Sequence, residues 1–271
     1  MTILVTGGTG LVGSRLLPRL ARAGVDCRAL VRPGKGVPAG ATRVEGDLLD
    51  PGSLAPAVKG VEAVVHLAAV FRTTDADLVW RSNLEGTRNL IAAVKAHVPQ
   101  ARFIMASTGV VYDTDLPRPA REDDSTAATA PYPASKVAAE RELHDSGLTW
   151  CVLRFAFVYG DGDGHLQAAP ELFSRTDRHP AQTVSLVHER DIATAVELAL
   201  TGVMDGRIVN IVDEAPVTVH EIASIVGASY KVSAAPLPNP WAGHMDGSLA
   251  RELGFRATVP TVYQAARDRI L

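Results

Sequence analysis

The stretch that decides the fold is MTILVTGGTGLVGSR, residues 1–15. Its first part, 2–6, is short and largely β-branched, which predicts a buried strand of a parallel sheet. A glycine-rich turn follows at 7–13, and an amphipathic helix is predicted from about residue 14 to residue 23. Strand, glycine turn and helix in this order are the pattern by which many proteins bind a dinucleotide.

The glycines have separate tasks in that pattern. Gly7 and Gly10 lack a Cβ, so the backbone can turn tightly and approach a pyrophosphate, whereas Gly13 lets the helix pack close to the strand. Free N–H groups at the start of the helix then face the phosphate charge. The spacing is GxxGxxG, one residue wider in its first gap than the usual GxGxxG.

The bulk composition describes an ordinary globular chain. It has 271 residues, 46% of them hydrophobic and 21% charged, with a formal net charge of −3 and an isoelectric point near 6.2. This balance gives no reason to expect nucleic acid or a membrane as a partner. The chain starts directly in a strand and shows no leader or long apolar segment, so a cytoplasmic location is expected.

Predicted strands alternate with helices along most of the chain. The strands are predicted at 2–6, 25–31, 42–45, 63–67, 102–105, 150–155 and 207–212. A further small strand is predicted at 183–187, and a helix at about 77–97. We therefore expect an α/β fold, a doubly wound parallel Rossmann sheet with a small C-terminal substrate-binding lobe. Residues 1–160 with 184–212 are assigned to the Rossmann domain, and 161–183 with 213–271 to the lobe.

Arg32 ends the second predicted strand. NAD-binding members of such folds carry an acidic residue there, which holds the ribose 2′-hydroxyl. A cation suits a 2′-phosphate instead, and Lys35 follows closely. NADP(H) is therefore favoured over NAD(H), although an ordinary exposed arginine is the alternative interpretation.

Tyr132 and Lys136 carry the candidate chemistry. They follow a predicted loop at 113–131 and lie four residues apart, so they share one face of the predicted helix. A nearby ammonium lowers the pKa of a phenol, and a phenol tuned in this way can exchange a proton with a substrate oxygen. Thr108, at the end of a neighbouring strand, is placed to hold that oxygen.

Several motifs in the right order resemble the extended short-chain dehydrogenases/reductases, the group that includes the NAD(P)-dependent epimerase/dehydratase family. The motifs are TGGTGLVG at 6–13, GDL at 46–48, HLAA at 66–69, SNLEGTRNL at 82–90, ASTGVVY at 106–112, YPASK at 132–136, RFAFVYG at 154–160 and LVHERDIATA at 186–195. The resemblance covers nearly the whole chain.

The resemblance implies a role for each matching residue. Tyr132 matches the catalytic acid/base, Lys136 the residue that binds the nicotinamide ribose, and Thr108 the hydroxyl that holds the reacting oxygen. The implied cofactor-binding residues are Gly7, Thr9, Gly10, Leu11, Val12, Gly13, Arg32, Asp47, Leu48, Leu67, Ala68, Ala69, Asn83, Ala106, Tyr132, Lys136, Phe155, Ala156 and Val158. Asn83 has an equally acceptable interpretation as a helix-bend residue. The family also implies a homodimer paired through the helices that hold Asn83 and Tyr132.

Two departures from the family bear on the substrate. Phe157 stands where nucleotide-sugar enzymes usually carry an asparagine, and Val184-Ser185-Leu186 stand where they tend to carry a diphosphate-gripping arginine. The chain thus has a phenyl ring at Phe157 in place of the amide and lacks the guanidinium that would bind a diphosphate. Both differences argue against a diphosphate ligand. The predicted substrate-binding residues are Phe71, Thr108, Val110, Phe157, His165 and Trp241, and Phe173 is a further candidate for an apolar pocket.

These observations predict an NADPH-dependent ketoreductase, or the reverse alcohol dehydrogenase, acting on a mainly apolar carbonyl compound such as an aromatic or polycyclic ketone. A nucleotide-sugar epimerase or 4-ketoreductase using the same three residues is the alternative. A redox sensor that binds NADP without catalysing a reaction is the non-enzymatic alternative. No metal site is predicted, because ligand spacing of the required kind is missing.

Overall fold

The computed structural model describes residues 1–126 and 128–271. The strands are β1 (Thr2–Thr6), β2 (Asp26–Val31), β3 (Thr42–Glu45), β4 (Ala63–His66), β5 (Arg102–Thr108), β6 (Trp150–Phe155), β7 (Phe157–Tyr159), β8 (Thr183–Val184), β9 (Leu186–His188), β10 (Arg207–Ile211) and β11 (Val217–Thr218). The α-helices are α1 (Leu11–Arg22), α2 (Pro51–Val58), α3 (Ala76–Trp80), α4 (Gly86–His97), α5 (Pro131–His144), α6 (His165–Arg175), α7 (Glu189–Leu200), α8 (Val219–Ile225), α9 (Ser248–Glu252) and α10 (Val262–Arg267).

The central sheet has seven strands in the order β3-β2-β1-β4-β5-β6-β10. All neighbouring pairs are parallel, with Thr6 opposite His66 between β1 and β4 and Thr108 opposite Phe155 between β5 and β6. The strand order reverses direction between β1 and β4, and ligands of open α/β sheets bind at the carboxyl ends of the strands at such a point. The predicted doubly wound Rossmann fold is confirmed.

Helices cover both faces of the sheet because its central strands β1, β4, β5 and β6 are buried on both sides. One core cluster joins the sheet to α1 and α7 through Leu16, Leu20 and Val196. The opposite cluster joins it to α2, α4 and α5, with Leu54 and Leu143 among its members. The central strands are therefore fixed, and their carboxyl ends form a rigid edge.

A third cluster lies outside the main sheet. It packs Tyr159 of β7, Phe173 of α6, Leu186 of β9, Ile222 of α8 and Val262 of α10 against one another. Segments far apart in the sequence share this core, which holds the end of β7 and the start of α6 beside the sheet edge.

The structure departs from the expected elements in three places. The helix predicted at 77–97 is interrupted by a π-helical turn at Arg81–Glu85. The segment 161–183, for which no element is predicted, contains α6. Its apolar residues Leu166, Ala169, Pro170 and Phe173 follow helical spacing, but the internal proline masks the signal. The strand predicted at 183–187 is divided into β8 and β9 at Ser185.

The predicted loop at 113–131 contains a short ordered contact. Ala120 pairs with Met245 in an isolated parallel bridge, and its N–H donates to the carbonyl of His244 over 2.9 Å. Residue 127 of the predicted loop lies outside the described residues. The described part of this loop therefore attaches the segment before α5 to the C-terminal region.

Candidate active site

The glycine turn joins β1 to α1 at the carboxyl edge of the sheet. Gly7 has a φ of 71°, and a Cβ there would lie 2.6 Å from the backbone nitrogen of Ala68. A Cβ on Gly13 would lie 2.3 Å from the carbonyl oxygen of Gly7. Both positions therefore require glycine, since backbone atoms cannot move away. Gly10, by contrast, is extended, with φ −78° and ψ 178°.

The start of α1 is suited to an anion. Gly10 is its N-cap and provides no side-chain hydrogen bond, and the first turn carries no acidic residue. The first N–H groups of a helix have no partner within the helix, and its dipole is positive at this end. The turn can therefore hold the pyrophosphate of a dinucleotide, as the pattern of glycines predicts.

Other predicted cofactor residues surround this turn. Leu67, Ala68 and Ala69 follow β4 and are half-buried, as are Val12, Ala106, Ala156 and Val158, whereas Thr9 and Leu11 are exposed. Phe155 departs from the expectation for its side chain, because that side chain is buried in the core cluster with α1 and α7. Only its backbone can contribute to a ligand site.

The residues predicted to contact the adenosine half of the cofactor follow β2 and β3 in the chain. Arg32 directly follows β2, is exposed, and forms no ion pair within residues 1–126 and 128–271. The Asp47 carboxylate accepts the N–H of Leu49 over 2.9 Å, which fixes the turn after β3. The Leu48 carbonyl accepts from the Asn89 side chain over 2.8 Å. A fixed turn thus follows β3, and the neighbouring β2 ends at a cation that has no ion-pair partner among the described residues.

Thr108, Tyr132 and Lys136 converge at the same edge of the sheet. Thr108 is the last residue of β5, and Tyr132 and Lys136 lie in the first turns of α5. The Thr108 side chain lies close enough to the Tyr132 phenol to act on its pKa. Tyr132 is half-buried, and Lys136 is only 2% exposed. The three predicted catalytic residues thus form one constellation.

The electrostatics of this constellation differ from the expectation at one point. Burial raises the pKa of Tyr132, and the Thr108 side chain acts in the opposite direction. Burial lowers the pKa of Lys136 to about 8, and the neighbouring Glu140 acts to raise it. The prediction that Lys136 brings the Tyr132 pKa below its usual value is therefore not met by the chain's own groups, because desolvation of the phenol is the larger effect.

A buried ion pair attaches α5 to the central sheet. The Glu140 carboxylate pairs with the Arg154 guanidinium over 2.6 Å, both side chains being about 5% exposed or less. The Ser107 hydroxyl donates to Glu140, and the Arg154 guanidinium lies 4.8 Å from the centre of the Tyr112 ring. These contacts tie α5 to β5 and β6, so they fix the helix that carries Tyr132.

Asn83 lies in the π-helical turn and is fully buried. Its Oδ1 accepts the N–H of Val70 over 2.7 Å, and its Nδ2 donates to the carbonyl of Val70 and to the Ser135 hydroxyl, each over 3.0 Å. Protein groups therefore occupy the amide, as the helix-bend interpretation predicts, and direct cofactor contact through this amide finds no support. Asn83 positions the segment after β4 against α5.

Aromatic rings connect Tyr132 to the start of α6. The Phe71 ring lies 5.7 Å from the Tyr132 ring, and the Phe157 ring stacks on His165 at 4.3 Å. Arg72 joins the two halves, since its guanidinium lies over Phe71 and donates to His165 Nε2. Three of the predicted substrate-binding residues are thus connected through Arg72, and one of them, Phe71, contacts Tyr132.

Other predicted pocket residues lie elsewhere. Phe173 departs from the expectation, because its side chain is buried in the third core cluster and meets Phe157 from behind at 5.6 Å. Trp241 contacts His244 at 5.7 Å, and Val110 is 54% exposed in the short turn after β5. No ring contact between Trp241 and the Phe71–Phe157 group occurs within residues 1–126 and 128–271.

The sequence alone does not identify Arg72 or Arg178 as site residues. Arg178 is half-buried, its guanidinium lies 4.9 Å from the centre of the Phe173 ring, and burial lowers its pKa. It forms no ion pair with a carboxylate of the described chain. Arg72 is adjacent to Phe71 in the sequence and Arg178 is close to Phe173, but only the fold brings Arg72 to both Phe71 and His165.

The residues that the structure describes contain neither a candidate metal centre nor a candidate membrane span. In the described part of the chain, His, Cys, Asp and Glu side chains form no group that could hold a metal ion. Every helix in residues 1–126 and 128–271 is too short or too polar to cross a lipid bilayer.

Known proteins share this architecture. The model of the NAD dependent epimerase/dehydratase family matches residues 3–211. A relative from Stigmatella aurantiaca, 4-hydroxy-2-methyl-3-oxo-4-farnesyl-3,4-dihydroquinoline-1-oxide ketoreductase, is 28% identical over 97% of this chain and 84% of its own. The 2-alkyl-3-oxoalkanoate reductase of Stenotrophomonas maltophilia is 33% identical over 65% of this chain and 56% of its own.

Solved structures agree with the sequence relatives. The crystal structure of Thermus thermophilus UDP-glucose 4-epimerase in complex with NAD has a TM-score of 0.78 to this chain at 26% identity. The superposition covers 98% of this chain and 97% of that one. The glycine turn and the Thr108–Tyr132–Lys136 group therefore occur in a fold that binds NAD in a neighbouring structure.

Proposed function

We propose that this chain, which belongs to the NAD-dependent epimerase/dehydratase family of extended short-chain dehydrogenases/reductases, reduces a mainly apolar ketone with NADPH. The observation that carries the proposal is the position of Thr108 at the end of β5 beside Tyr132 of α5, with Lys136 one helical turn further on. Two hydroxyls and an ammonium at the edge that carries the glycine turn are the groups that carbonyl reduction requires.

The protein's own residues would act on the carbonyl oxygen. NADPH, when bound, supplies a hydride to the carbonyl carbon and leaves as NADP⁺. Thr108 holds the carbonyl oxygen by a hydrogen bond, and Tyr132 donates the proton that converts the developing alkoxide into the alcohol. Because burial keeps the Tyr132 pKa above its usual value, the phenol carries this proton at neutral pH. Lys136 places positive charge beside the resulting phenolate and stabilises it.

NADPH is proposed over NADH because of Arg32. Its guanidinium follows β2, is exposed and lacks an ion-pair partner in the described part of the chain. A 2′-phosphate provides a matching anion, and guanidinium groups bind phosphate with two parallel hydrogen bonds.

The apolar character of the substrate rests on Phe71 and Phe157. Their rings lie beside Tyr132 and His165 respectively, and Phe71 is 46% exposed. The small C-terminal lobe, assigned to 161–183 with 213–271, would supply the far wall, where Trp241 is 38% exposed. The names of two relatives describe an apolar ketone and a keto acid with an alkyl branch.

A nucleotide-sugar epimerase or 4-ketoreductase is the second candidate. Arg178 favours it, because a half-buried guanidinium without a carboxylate partner in the described chain can receive a phosphate. A Cβ on Gly243 would lie 3.4 Å from Arg178 Nη1, so this cation lies close to the Thr183–Ser185 segment. Relatives named UDP-glucose 4-epimerase and dTDP-4-dehydrorhamnose reductase are consistent with such a ligand.

A homodimer is also proposed. The resemblance assigns the interface to the helices around Asn83 and Tyr132, and α3 exposes Leu78 and Trp80 there, at 38% and 37%. Exposed large apolar side chains on one short helix support such pairing. Sedimentation of the wild type and of Trp80→Glu tests this proposal. The wild type should sediment as a dimer, and Trp80→Glu should sediment as a monomer because a charge then lies in the interface.

The deciding experiment measures consumption of NADPH with a series of apolar ketones, beside conversion of UDP-glucose to UDP-galactose. We expect ketone reduction in the wild type and a kcat lower by about 100-fold or more in Tyr132→Phe. NADPH titration should give the same Kd for both proteins, which shows that the variant is folded. Epimerisation of UDP-glucose without ketone reduction would overturn the proposal in favour of the second candidate.

A further inference from the structure

Polar side chains form a continuous series of hydrogen bonds from the end of β1 to the start of α5. The members of this buried network are Thr6, His66, Thr87, Asn83 and Ser135, each 1% exposed or less. Thr6 and His66 end β1 and β4, and the other three lie in α4, the π-helical turn and α5. Because a buried polar group is costly unless it has a partner, such a network requires every link to be satisfied.

The direction of each hydrogen bond follows from the donors available. The Thr87 hydroxyl donates to the Asn83 carbonyl over 2.6 Å, so its oxygen can only accept from His66 Nε2, at 2.9 Å. Burial lowers the His66 pKa to about 3, which keeps the ring neutral, and Nδ1 therefore accepts from the Thr6 hydroxyl at 2.7 Å. The Thr6 oxygen in turn accepts the N–H of Ala68 over 3.2 Å.

The two ends of the buried network lie in the two halves of the proposed site. Asn83 Nδ2 donates to the Ser135 hydroxyl over 3.0 Å, and that hydroxyl donates to the backbone carbonyl of Tyr132 over 2.7 Å. At the other end, the Ala68 backbone lies against the glycine turn, since a Cβ on Gly7 would lie 2.6 Å from the Ala68 nitrogen. Hydrogen bonds thus join the floor of the turn to the main chain of the proton donor.

We propose that Thr87 and Ser135 are positioning residues for Tyr132, because the buried network fixes the Tyr132 main chain relative to the carboxyl ends of β1 and β4. The inference rests on the proposed function, in which Tyr132 donates a proton to the substrate. Both side chains are fully buried, so they act through other residues. A displacement of about 1 Å in a reacting group can slow a reaction about 100-fold, so a small shift of Tyr132 matters.

A second threonine shows what is particular to Thr87. The Thr194 hydroxyl of α7 also faces the carbonyl four residues before it, that of Arg190, at 3.5 Å. That hydroxyl is half-buried. Thr87 has the shorter bond to its own helix and also accepts from His66 of a neighbouring strand. The same local motif therefore carries a link between α4 and the sheet only at Thr87, and Thr194 is its matched control.

Two exchanges at Thr87 separate positioning from packing. Thr87→Val removes the hydroxyl and keeps the branched shape, whereas Thr87→Ser keeps the hydroxyl and removes a methyl group. With saturating NADPH and an apolar ketone, Thr87→Val should lower kcat about tenfold or more and change KM less than about threefold. Thr87→Ser should keep kcat within about threefold of wild type. A packing role predicts the opposite order, so a kcat in Thr87→Ser as low as in Thr87→Val would overturn the proposal.

Ser135→Ala removes the last link and serves as the second variant should Thr87→Val not fold. Alanine is the better helix former, so the expected tenfold loss of kcat in Ser135→Ala cannot come from a weaker helix. The double variant should be no more than about threefold slower than the slower single variant, because both changes interrupt one network. Losses that multiply would assign the two residues independent effects and overturn it. Thr194→Val should keep the wild-type kcat.

Amide hydrogen exchange separates this proposal from the ketoreductase function, because it needs no substrate. Amides at the start of α5 should exchange about tenfold faster in Thr87→Val and Ser135→Ala than in the wild type, and as in the wild type in Thr87→Ser. That result in a protein that reduces no ketone would support the positioning and contradict only the proposed function. Unchanged exchange in the folded variants, or faster exchange with a wild-type kcat, would overturn the positioning.

Discussion

Glu140 and Arg154 form a buried ion pair one helical turn beyond Lys136, with 2.6 Å between Oε2 and Nη2. The pair joins the helix that carries Tyr132 to β6 and also places a negative charge near the Lys136 ammonium. The attachment of α5 to the sheet and the charge environment of Lys136 therefore both depend on the Glu140 carboxylate.

Glu140→Gln should lower the free energy of unfolding by about 3–5 kcal/mol, because it leaves the Arg154 charge buried without its partner. Denaturant titration at neutral pH measures the change. Glu142→Gln is the control, since its pair with Arg88 is exposed, and it should leave the free energy of unfolding nearly unchanged. Equal effects of the two variants would contradict this account of the buried pair.

Arg32→Asp should reverse the cofactor preference. Removal of the guanidinium eliminates its pairing with the 2′-phosphate, and the new carboxylate repels that phosphate, so the Kd for NADPH should rise about tenfold or more. NADH should bind as well as before or better, because a carboxylate can accept from the 2′-hydroxyl.

The control for this exchange is Lys59→Asp, which changes the net charge equally at an exposed residue directly after α2. It should leave both dissociation constants unchanged. Fluorescence titration with each cofactor measures the effect, and tighter binding of NADH than NADPH in the wild type would refute the role given to Arg32.

Gly13→Ala should damage both the fold and nucleotide binding. The new Cβ would lie 2.3 Å from the Gly7 carbonyl oxygen, so the helix must move away from the turn. We expect a loss of about 1–3 kcal/mol in unfolding free energy and a clear rise in the Kd for NADPH. Gly36→Ala, where a Cβ meets open space, should stay within about 0.5 kcal/mol of wild type. Unaltered NADPH binding in Gly13→Ala would show that the turn does not hold the cofactor.

His66 should make stability fall as the pH falls. The ring is buried between Thr6 and Thr87 at 2.7 and 2.9 Å, and burial lowers its pKa to about 3. The unfolded chain, with a histidine pKa near about 6.5, binds more protons between these two values. Proton uptake therefore favours unfolding as the pH falls from about 6.5 towards 3.

The size of this effect is testable by comparison of wild type with His66→Gln. Between about pH 7 and pH 5 the wild type should lose about 2 kcal/mol more unfolding free energy than the variant. The exposed His97→Gln serves as the control and should keep the wild-type pH dependence. A wild-type slope retained in His66→Gln would assign the proton uptake to another group.

Local sequence patterns predict the fold well and place the candidate catalytic residues on one helix face. The β1–glycine–α1 unit and the spacing of Tyr132 and Lys136 depend on contacts within a few residues, which periodicity and glycine placement encode directly. The family resemblance adds the position of Thr108. The error over α6 is local as well, because Pro170 lies within an otherwise helical pattern.

The interactions that join distant segments are not encoded in this way. Arg72 and His165 are 93 residues apart, and Asn83 and Ser135 are 52 apart, so no periodicity relates either pair. The pKa of Tyr132 also follows from how much surrounding protein displaces water, which no residue pattern specifies.

The sequence by itself thus determined the Rossmann architecture, the glycine turn and the Tyr132–Lys136 face of α5, since local backbone geometry and hydrophobic periodicity decide them. Only the tertiary structure decided which charges meet, which polar groups are buried and where Arg72 lies relative to Tyr132. The physical reason is that burial and electrostatic interactions depend on distance in space, and the fold alone converts sequence separation into that distance.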